Sequence, residues 1–353
     1  MELISKDRKN SSPSLVAVRP WLTKLGLEGQ QLIILVGLIL LIALFSAINP
    51  DFLSYKNFED ILRMSSIYGI AALGMTLVML TGGIDLSVGS VMALGGALSA
   101  GFLGIAFGAA NPIQLPFVLA VLLAIIITGV IGLLNGFVIT KFNIAPFVAT
   151  LGMMTIARGL TYIYTDFTVG GIPGSPITFS HPLFDWLGAG YIVGIPTQAV
   201  IFIVLALVLG FVLRHTALGR NVYAVGGNGE ISRLAGINKD WIVMIAYMAM
   251  GVLAGLSGLL LTGKLSSASP LTGTGYELDI ITIVVLGGTS MIGGRASIFG
   301  TVLGALILSV ITNGLNFLNV PSFYQYLIKG TILVAAVIFD QVYQRRVNHK
   351  KSD

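Results

Sequence analysis

The chain contains no cysteine, and its three histidines, His181, His215 and His349, lie far apart. The first absence excludes a disulfide framework and any thiolate-held zinc or iron–sulfur centre, and the second leaves no histidine cluster in its place. Charge is scarce too: Asp, Glu, Lys and Arg make up 10% of the 353 residues, where a soluble domain carries roughly a quarter. There is also no GxxxxGK[ST] phosphate loop, since Gly263 and Lys264 are followed by Leu265. The chain therefore has no motif with which to hydrolyse ATP, and no cofactor is expected in it.

What fills the space is apolar. Hydrophobic residues make up 55% of the chain, the mean hydropathy is +0.92, and lipid must be the solvent for most of it. A spanning helix needs about 20 mainly apolar residues. About ten such runs lie between polar or Gly/Pro punctuation, at 31–48, 60–80, 87–108, 115–139, 146–165, 197–213, 242–262, 279–292, 297–317 and 323–342. The eighth is short for a simple span. The fold class expected is an all-α polytopic integral membrane protein of about ten transmembrane helices.

The charges give the orientation. Fifteen of the 20 Lys and Arg residues fall on the side of both termini, from Lys6, Arg8, Lys9, Arg19 and Lys24 through Lys141, Arg214, Arg220, Arg233, Lys239 and Arg295 to Arg345, Arg346, Lys350 and Lys351. By the positive-inside rule that side is the cytoplasm. The net charge of +5 is then explained by membrane edges, and no nucleic-acid partner is expected. The organisation expected is a basic cytoplasmic segment 1–30, a transmembrane domain 31–342 and a basic cytoplasmic tail 343–353, with an extracytoplasmic loop at 166–196 and a cytoplasmic loop at 214–241. The polar lead of about thirty residues is too long for the n-region of a cleaved signal peptide.

Self-similarity appears across offsets of 171 to 181 residues. Leu80, Thr81 and Gly82 recur as Leu261, Thr262 and Gly263; Val138, Ile139 and Thr140, ahead of Asn143, Pro146 and Phe147, recur as Val310, Ile311 and Thr312, ahead of Asn316, Pro321 and Phe323. Arg158-Gly159 likewise matches Lys329-Gly330. A shift of five helices reverses orientation, so segments two to five and seven to ten are expected to form an inverted-topology repeat with a pathway between the halves.

Within 214–241, Asn228 is a favourable N-cap, Glu230 sits in the first turn and Gly236 is placed to end a short helix. Ile231 and Leu234 share a face and Arg233 lies on another. A short, half-apolar cytoplasmic helix suits docking into another protein; lying on lipid headgroups is the alternative. Residues 230–236 keep the Glu-to-Gly spacing of the EAAxxxG loop by which permeases of ATP-binding-cassette importers contact their ATPases. Ile231 and Ser232 replace its alanines, and Gly229 stands where Glu is common. More closely, residues 216–237 (TALGRNVYAVGGNGEISRLAGI), 80–90 (LTGGIDLSVGS), 132–159 (GLLNGFVITKFNIAPFVATLGMMTIARG) and 275–304, with GYELD and VLGGTSMIGGRASIFG, resemble the ribose-type sugar permeases of the branched-chain amino acid and sugar permease superfamily.

That resemblance implies an importer subunit in a bacterial cytoplasmic (inner) membrane, carrying a ribose-type monosaccharide. It implies a second permease chain, identical or not, an ATPase with two fused nucleotide-binding halves that holds ATP and Mg, and an extracytoplasmic sugar-binding protein. Asn228, Glu230, Arg233, Leu234, Ala235 and Gly236 would form the ATPase-coupling helix. Candidates for the translocation path or gate are Asp85, Ser87, Asn135, Phe147, Thr150, Asn313 and Asn316. Of these, Asp85 and Ser87 are equally suited to capping the third segment, and the asparagines and Thr150 to hydrogen bonds between helices. Trp21, Trp186 and Trp241 fall at segment ends, as interface anchors do, so the path is expected to bind sugar weakly and the delivery protein to set specificity. The loop near Phe184, Asp185, Trp186, Ile195 and Pro196 is a candidate dock for that protein. The competing class, an ion-coupled secondary transporter, needs a carboxylate deep in a span. Asp85, Glu277, Asp279 and Asp340 all sit at segment ends, and only Arg158 and Lys329 are strong candidates for charge inside one.

Overall fold

The computed structural model describes residues 29–104, 114–169 and 174–352; Trp21 and most of the basic lead at 1–30 lie outside them, as do 105–108 of the third expected span and 170–173 of the expected extracytoplasmic loop. Thirteen α-helices are described: α1 (Gly29–Ile48), α2 (Tyr55–Leu80), α3 (Val88–Gly101), α4 (Phe117–Phe142), α5 (Pro146–Val169), α6 (Pro182–Ala189), α7 (Thr197–His215), α8 (Ala217–Gly227), α9 (Gly229–Leu234), α10 (Lys239–Leu265), α11 (Tyr276–Leu286), α12 (Ile298–Phe317) and α13 (Ser322–Ser352). Each of the ten apolar runs coincides with one of them. Among the described residues, α1, α2, α4, α7, α10 and α12 are the six that are long and apolar enough to cross a membrane. The chain is an all-α polytopic membrane protein.

Burial separates centre from rim. In their most apolar stretches 89% of the residues of α2, 67% of those of α12 and 61% of those of α10 are buried, against 11% for α1 and 33% for α4 and α7, so the first three form the centre and the others the rim. Polar groups on α2 and α10 meet protein partners: Ser257 donates to Ile67 O at 2.6 Å, and Thr76 shares a 2.8 Å hydrogen bond with Thr301 of α12. Without a hydrophobic drive between helices in lipid, close backbone approach supplies much of the packing. It occurs where α4 crosses α10. A Cβ on Gly132 would strike the Tyr247 carbonyl, one on Gly251 the Thr128 carbonyl, and one on Gly136 would lie 2.7 Å from Met244 Cα.

Helices α3 and α11, with 14 and 11 residues, are too short to span alone. Both follow a glycine-rich break, and the chain touches itself where they begin: Gly89 and Gly273 approach so closely that a Cβ on either would meet the carbonyl oxygen of the other. The matching connections also agree in backbone. Asn143 after α4 (φ 56°) and Asn319 after α12 (φ 52°) are both left-handed, and each is followed by a proline and a new helix. The matched position of Asn143 is thus Asn319, three residues beyond the Asn316 that sequence alignment selects. Leu261, Thr262 and Gly263 also differ from expectation, because α10 runs through them to Leu265 whereas α2 stops at Leu80. The eighth run ends at Leu286, ahead of its expected end at 292, since Gly287 and Gly288 (φ 85°) form a turn.

The loop after α5 carries structure that its composition did not announce. Strand β1 (Ile177–Thr178) pairs antiparallel with β4 (Ser267–Ala268), tying this loop to the one after α10, while β2 (Tyr191–Ile192) and β3 (Ile195–Pro196) form a hairpin. Between them lies α6, started by His181 and Pro182 and ended at Gly190. Arg63 of α2 is buried and holds this end in place. It donates to Ala189 O (2.9 Å), Gln198 Oε1 (3.0 Å) and the carbonyls of Gly188 and Gly190 (3.4 Å each), with its guanidinium 4.8 Å from the centre of the Tyr191 ring. Carbonyls at a helix C-terminus balance its charge. Replacing Arg63 with leucine leaves Ala189 O and Gln198 Oε1 unpaired, at about 1–3 kcal/mol each, whereas Gly188 O keeps the Gln198 amide and Gly190 O keeps Thr197 N–H. The expected result is rapid proteolytic cleavage within residues 177–196 in the variant and protection in the wild type, read by limited digestion and mass spectrometry.

Candidate functional site

Two regions carry most of the residues singled out from the sequence, and the glycines between them join the regions. The first is α9. Asn228 caps it, its side-chain oxygen accepting from Glu230 N–H (3.1 Å) and Ile231 N–H (3.0 Å). Its other end closes as a Schellman motif: Gly236 (φ 82°) donates to Arg233 O and Ile237 to Ser232 O, both at 3.0 Å. Both ends being satisfied, the helix needs no cover to hold its shape. Ser232 is buried, whereas Ile231 is 63% and Leu234 82% exposed. Glu230 and Arg233 form an exposed ion pair at 3.3 Å, worth only a few tenths of a kcal/mol. The exposed surface is therefore an apolar knob with a charged flank.

The expected loop around α9 holds a second helix, α8, which the sequence reading missed. Its signal was present: Thr216 accepts from Gly219 N–H at 3.2 Å as an N-cap, and Val222 and Val225, three apart, are its buried face. Helix α8 matters because its C-terminal Gly226 lies against the Leu80 carbonyl with no room for a Cβ. The same carbonyl accepts from Gly294 N–H at 3.0 Å, and Gly293 and Gly294 sit against the backbone of Gly226, Gly227 and Gly82. Tyr223 donates to Ala296 O at 3.3 Å. Backbone packed on backbone joins α8 to the end of α2 and to the loop after α11.

The second region is the break between α2 and α3. Asp85, Ser87, Asn135 and Thr150 come together there. Asp85 Oδ1 accepts from Ser87 N–H (2.8 Å) and Ser87 O–H (2.6 Å), and Asn135 Nδ2 donates to Ser87 Oγ (3.1 Å). Thr150 Oγ1 accepts from Leu86 N–H (3.1 Å) and donates to Pro146 O (2.9 Å). Tyr247 of α10, which the sequence reading overlooked, donates to Ile84 O at 3.2 Å. All four candidates are buried. In this conformation they fasten an unwound segment to α4, α5 and α10.

The remaining candidates stand elsewhere. Phe147 is on the outward face of α5, 55% exposed. Asn313 and Asn316 lie on α12, with Ser309 and Thr312 on the same face by helical spacing. Asn316 Oδ1 accepts from Gln325 Nε2 of α13 at 2.9 Å. Among the described residues, Ser309 Oγ, Thr312 Oγ1 and Asn313 Oδ1 are buried with no hydrogen-bond partner, an arrangement that costs energy unless a polar guest or a second conformation supplies partners. In the loop after α5 Phe184 is fully buried, which removes it from the surface, while Trp186 and Ile195 are each 45% exposed.

The two charges expected inside spans have partners. Arg158 donates to Pro270 O and, at 2.7 Å, to Thr272 O, pinning α5 to the loop before α11. Lys329 donates to Asp279 Oδ2 at 2.8 Å, so Asp279, taken from the sequence as a segment-end acid, is half of a buried pair.

Comparison with known proteins gives the family. Residues 57–337 match the family model described as branched-chain amino acid transport system / permease component. The chain is 43% identical over 329 residues to the ribose import permease protein of Escherichia coli (strain K12), covering 92% of this chain and 97% of that one. It is 44% identical over 314 residues to the ribose import permease protein of Bacillus subtilis (strain 168), covering 88% and 93%. With the D-allose transport system permease protein of Escherichia coli (strain K12) it shares 34% identity over 306 residues, covering 86% and 90%. No solved structure matches. Over most of its length, then, the chain belongs to the permease components of the branched-chain amino acid transport family.

Proposed function

We propose that this chain is the membrane-spanning subunit of an ATP-binding-cassette importer that carries a ribose-type monosaccharide into the cytoplasm, driven by ATP and Mg chemistry in a partner subunit. The similarity to ribose and D-allose permeases over most of the chain supports the substrate class. The observation that carries the mechanism is the continuous path from α9 to the break before α3. The exposed Ile231–Leu234 knob is the contact for the ATPase. Its motion passes through α8 to the glycine junction at Leu80, Gly82 and Gly293, and so to the segments that lead into α3 and out of α11.

The assembly holds two permease chains, an ATPase with two fused nucleotide-binding halves and an extracytoplasmic sugar-binding protein, in a bacterial cytoplasmic membrane with both termini inside. Segments 1–30 and 343–353 are the basic cytoplasmic ends and 31–342 the permease domain. Helices α2–α5 and α10–α13 act as inverted halves that rock about the Gly89–Gly273 contact, exposing the path to each side in turn. Opening would require the Asp85–Ser87–Asn135–Thr150 contacts to part, which makes these residues gate elements in this reading. An ion-coupled mechanism has less support, since Asp279 is already neutralised by Lys329.

Purifying the tagged chain from its native membrane in mild detergent tests the assembly. A two-domain ATPase should accompany it, with ATP hydrolysis in the eluate. The chain alone, under conditions where a known importer complex survives, would contradict this reading.

A further inference from the structure

Helix α13 carries an unexpected stripe. Ser322, Gln325, Tyr326 and Lys329 recur at i, i+3, i+4 and i+7 and so share one face of a helix whose first part is otherwise apolar. That face looks onto the start of α11, and the two enclose a cavity of about 150 Å³ lined by Thr274, Gly275, Tyr276 and Asp279 on one side and by the stripe on the other. Every lining residue except Gly275 bears a polar side-chain atom. The Lys329–Asp279 pair forms the deep wall, with its side chains only 17% and 9% exposed.

Three features narrow what such a cavity takes. An ammonium and a carboxylate bonded to each other present no net charge, so the site does not concentrate ions, yet both donors and acceptors remain: an ammonium has three N–H groups and a carboxylate about four lone-pair positions, of which the pair uses one each. Tyr276 and Tyr326 add aromatic faces and hydroxyls. The space holds about five waters, the size of one small polyol. Gln325 also reaches Asn316 at 2.9 Å, joining the cavity to the polar face of α12 whose buried oxygens lack partners. Charged residues at this depth in an apolar helix are costly and mark function more often than stability.

We propose that the cavity between α11 and α13 is a binding station for a neutral polyhydroxylated ligand, a single monosaccharide, in which the Asp279–Lys329 pair and the two tyrosines hold ring hydroxyls and Gln325 passes the ligand toward Asn316. This rests on the sugar-import reading and adds the place of contact. In the orientation given by the charges the cavity opens beside the loops at 266–275 and 318–321, on the extracytoplasmic side. It is the first place a sugar released from the binding protein would meet.

The absence of native cysteine makes the test direct. Ser322→Cys and Gln325→Cys, with Asp51→Cys on the outer turn as the control, are expressed as full-length chains with their partner subunits in intact cells. Each is then modified with a small membrane-impermeant methanethiosulfonate reagent, with and without excess D-ribose, D-allose, L-arabinose or L-leucine. Uptake of the same four compounds is measured in parallel for the wild type. The imported sugar, at about ten times its dissociation constant, is expected to slow modification at positions 322 and 325 by about tenfold and to leave position 51 unchanged. Uptake of a sugar that protects neither cavity position overturns the station and leaves the import reading standing. Protection by L-leucine and by no sugar, or uptake of none of the three sugars, overturns both.

Discussion

Gly236→Arg is expected to reduce import to about one hundredth of the wild-type rate or less while leaving the amount of chain in the membrane unchanged; a hundredfold loss corresponds to about 2.7 kcal/mol of lost coupling. Gly236 lies in the left-handed region at φ 82° and closes the Schellman end of α9. An arginine there costs about 1–2 kcal/mol in backbone strain, but this falls on a six-residue surface helix. A Cβ at this position meets nothing within 4 Å in the chain, so no clash reaches the membrane domain. What the substitution does disturb is the neighbourhood of Leu234, the most exposed residue of the knob: it loosens the turn that presents that side chain and adds a cation beside it. Quantitative membrane blots alongside radiolabelled uptake separate the two effects. Normal import by the variant would remove α9 from the ATPase contact.

The second large effect concerns folding. Gly132→Leu is expected to abolish recovery of monodisperse protein, or to lower the melting temperature of what is recovered by more than any lipid-facing substitution. The added Cβ would lie against the Tyr247 carbonyl and 3.0 Å from Gly251 N, with backbone on both sides and no flexible side chain to yield. Forcing side-chain atoms into such a contact costs about 1–3 kcal/mol or more out of a total stability of about 5–15 kcal/mol. It also shifts α10, the helix against which α2, α3 and α4 pack. Gly37→Leu on α1 is the control, since its added Cβ meets nothing within 4 Å and should leave the melting curve in place. Equal behaviour of the two variants, read by fluorescence-detected size exclusion and thermal unfolding, would mean that the α4–α10 crossing does not hold the core.

The spans were legible because lipid imposes a simple rule: apolar runs of sufficient length, broken by glycine, proline and charge. All ten runs coincide with helices. Caps were legible for the same local reason, as the side chain of Asn228 and the backbone of Gly236 act within a few residues of themselves. Contacts that close over long sequence distances were not legible. Arg63 finds its acceptors 125 or more residues away, and Lys329 meets Asp279 across 50; nothing in either neighbourhood names the partner. The short helices α6 and α8 escaped notice because each lies in a stretch read as loop, although His181-Pro182 and Thr216 were ordinary start signals. The expected repeat agrees at one place and differs at another. The left-handed asparagines mark matching turns at 143 and 319, but the shared Leu-Thr-Gly fragment ends one helix and lies inside the other.

The central claim is that this chain moves a monosaccharide when a partner hydrolyses ATP. The most direct test reconstitutes the chain with its co-purified ATPase in proteoliposomes, with the sugar-binding protein and labelled D-ribose outside and MgATP available to the ATPase face. Accumulation against a gradient that requires ATP, persists when proton and sodium gradients are collapsed, and is lost in the Gly236→Arg variant is the predicted result. Uptake that follows an ion gradient and ignores ATP would contradict it.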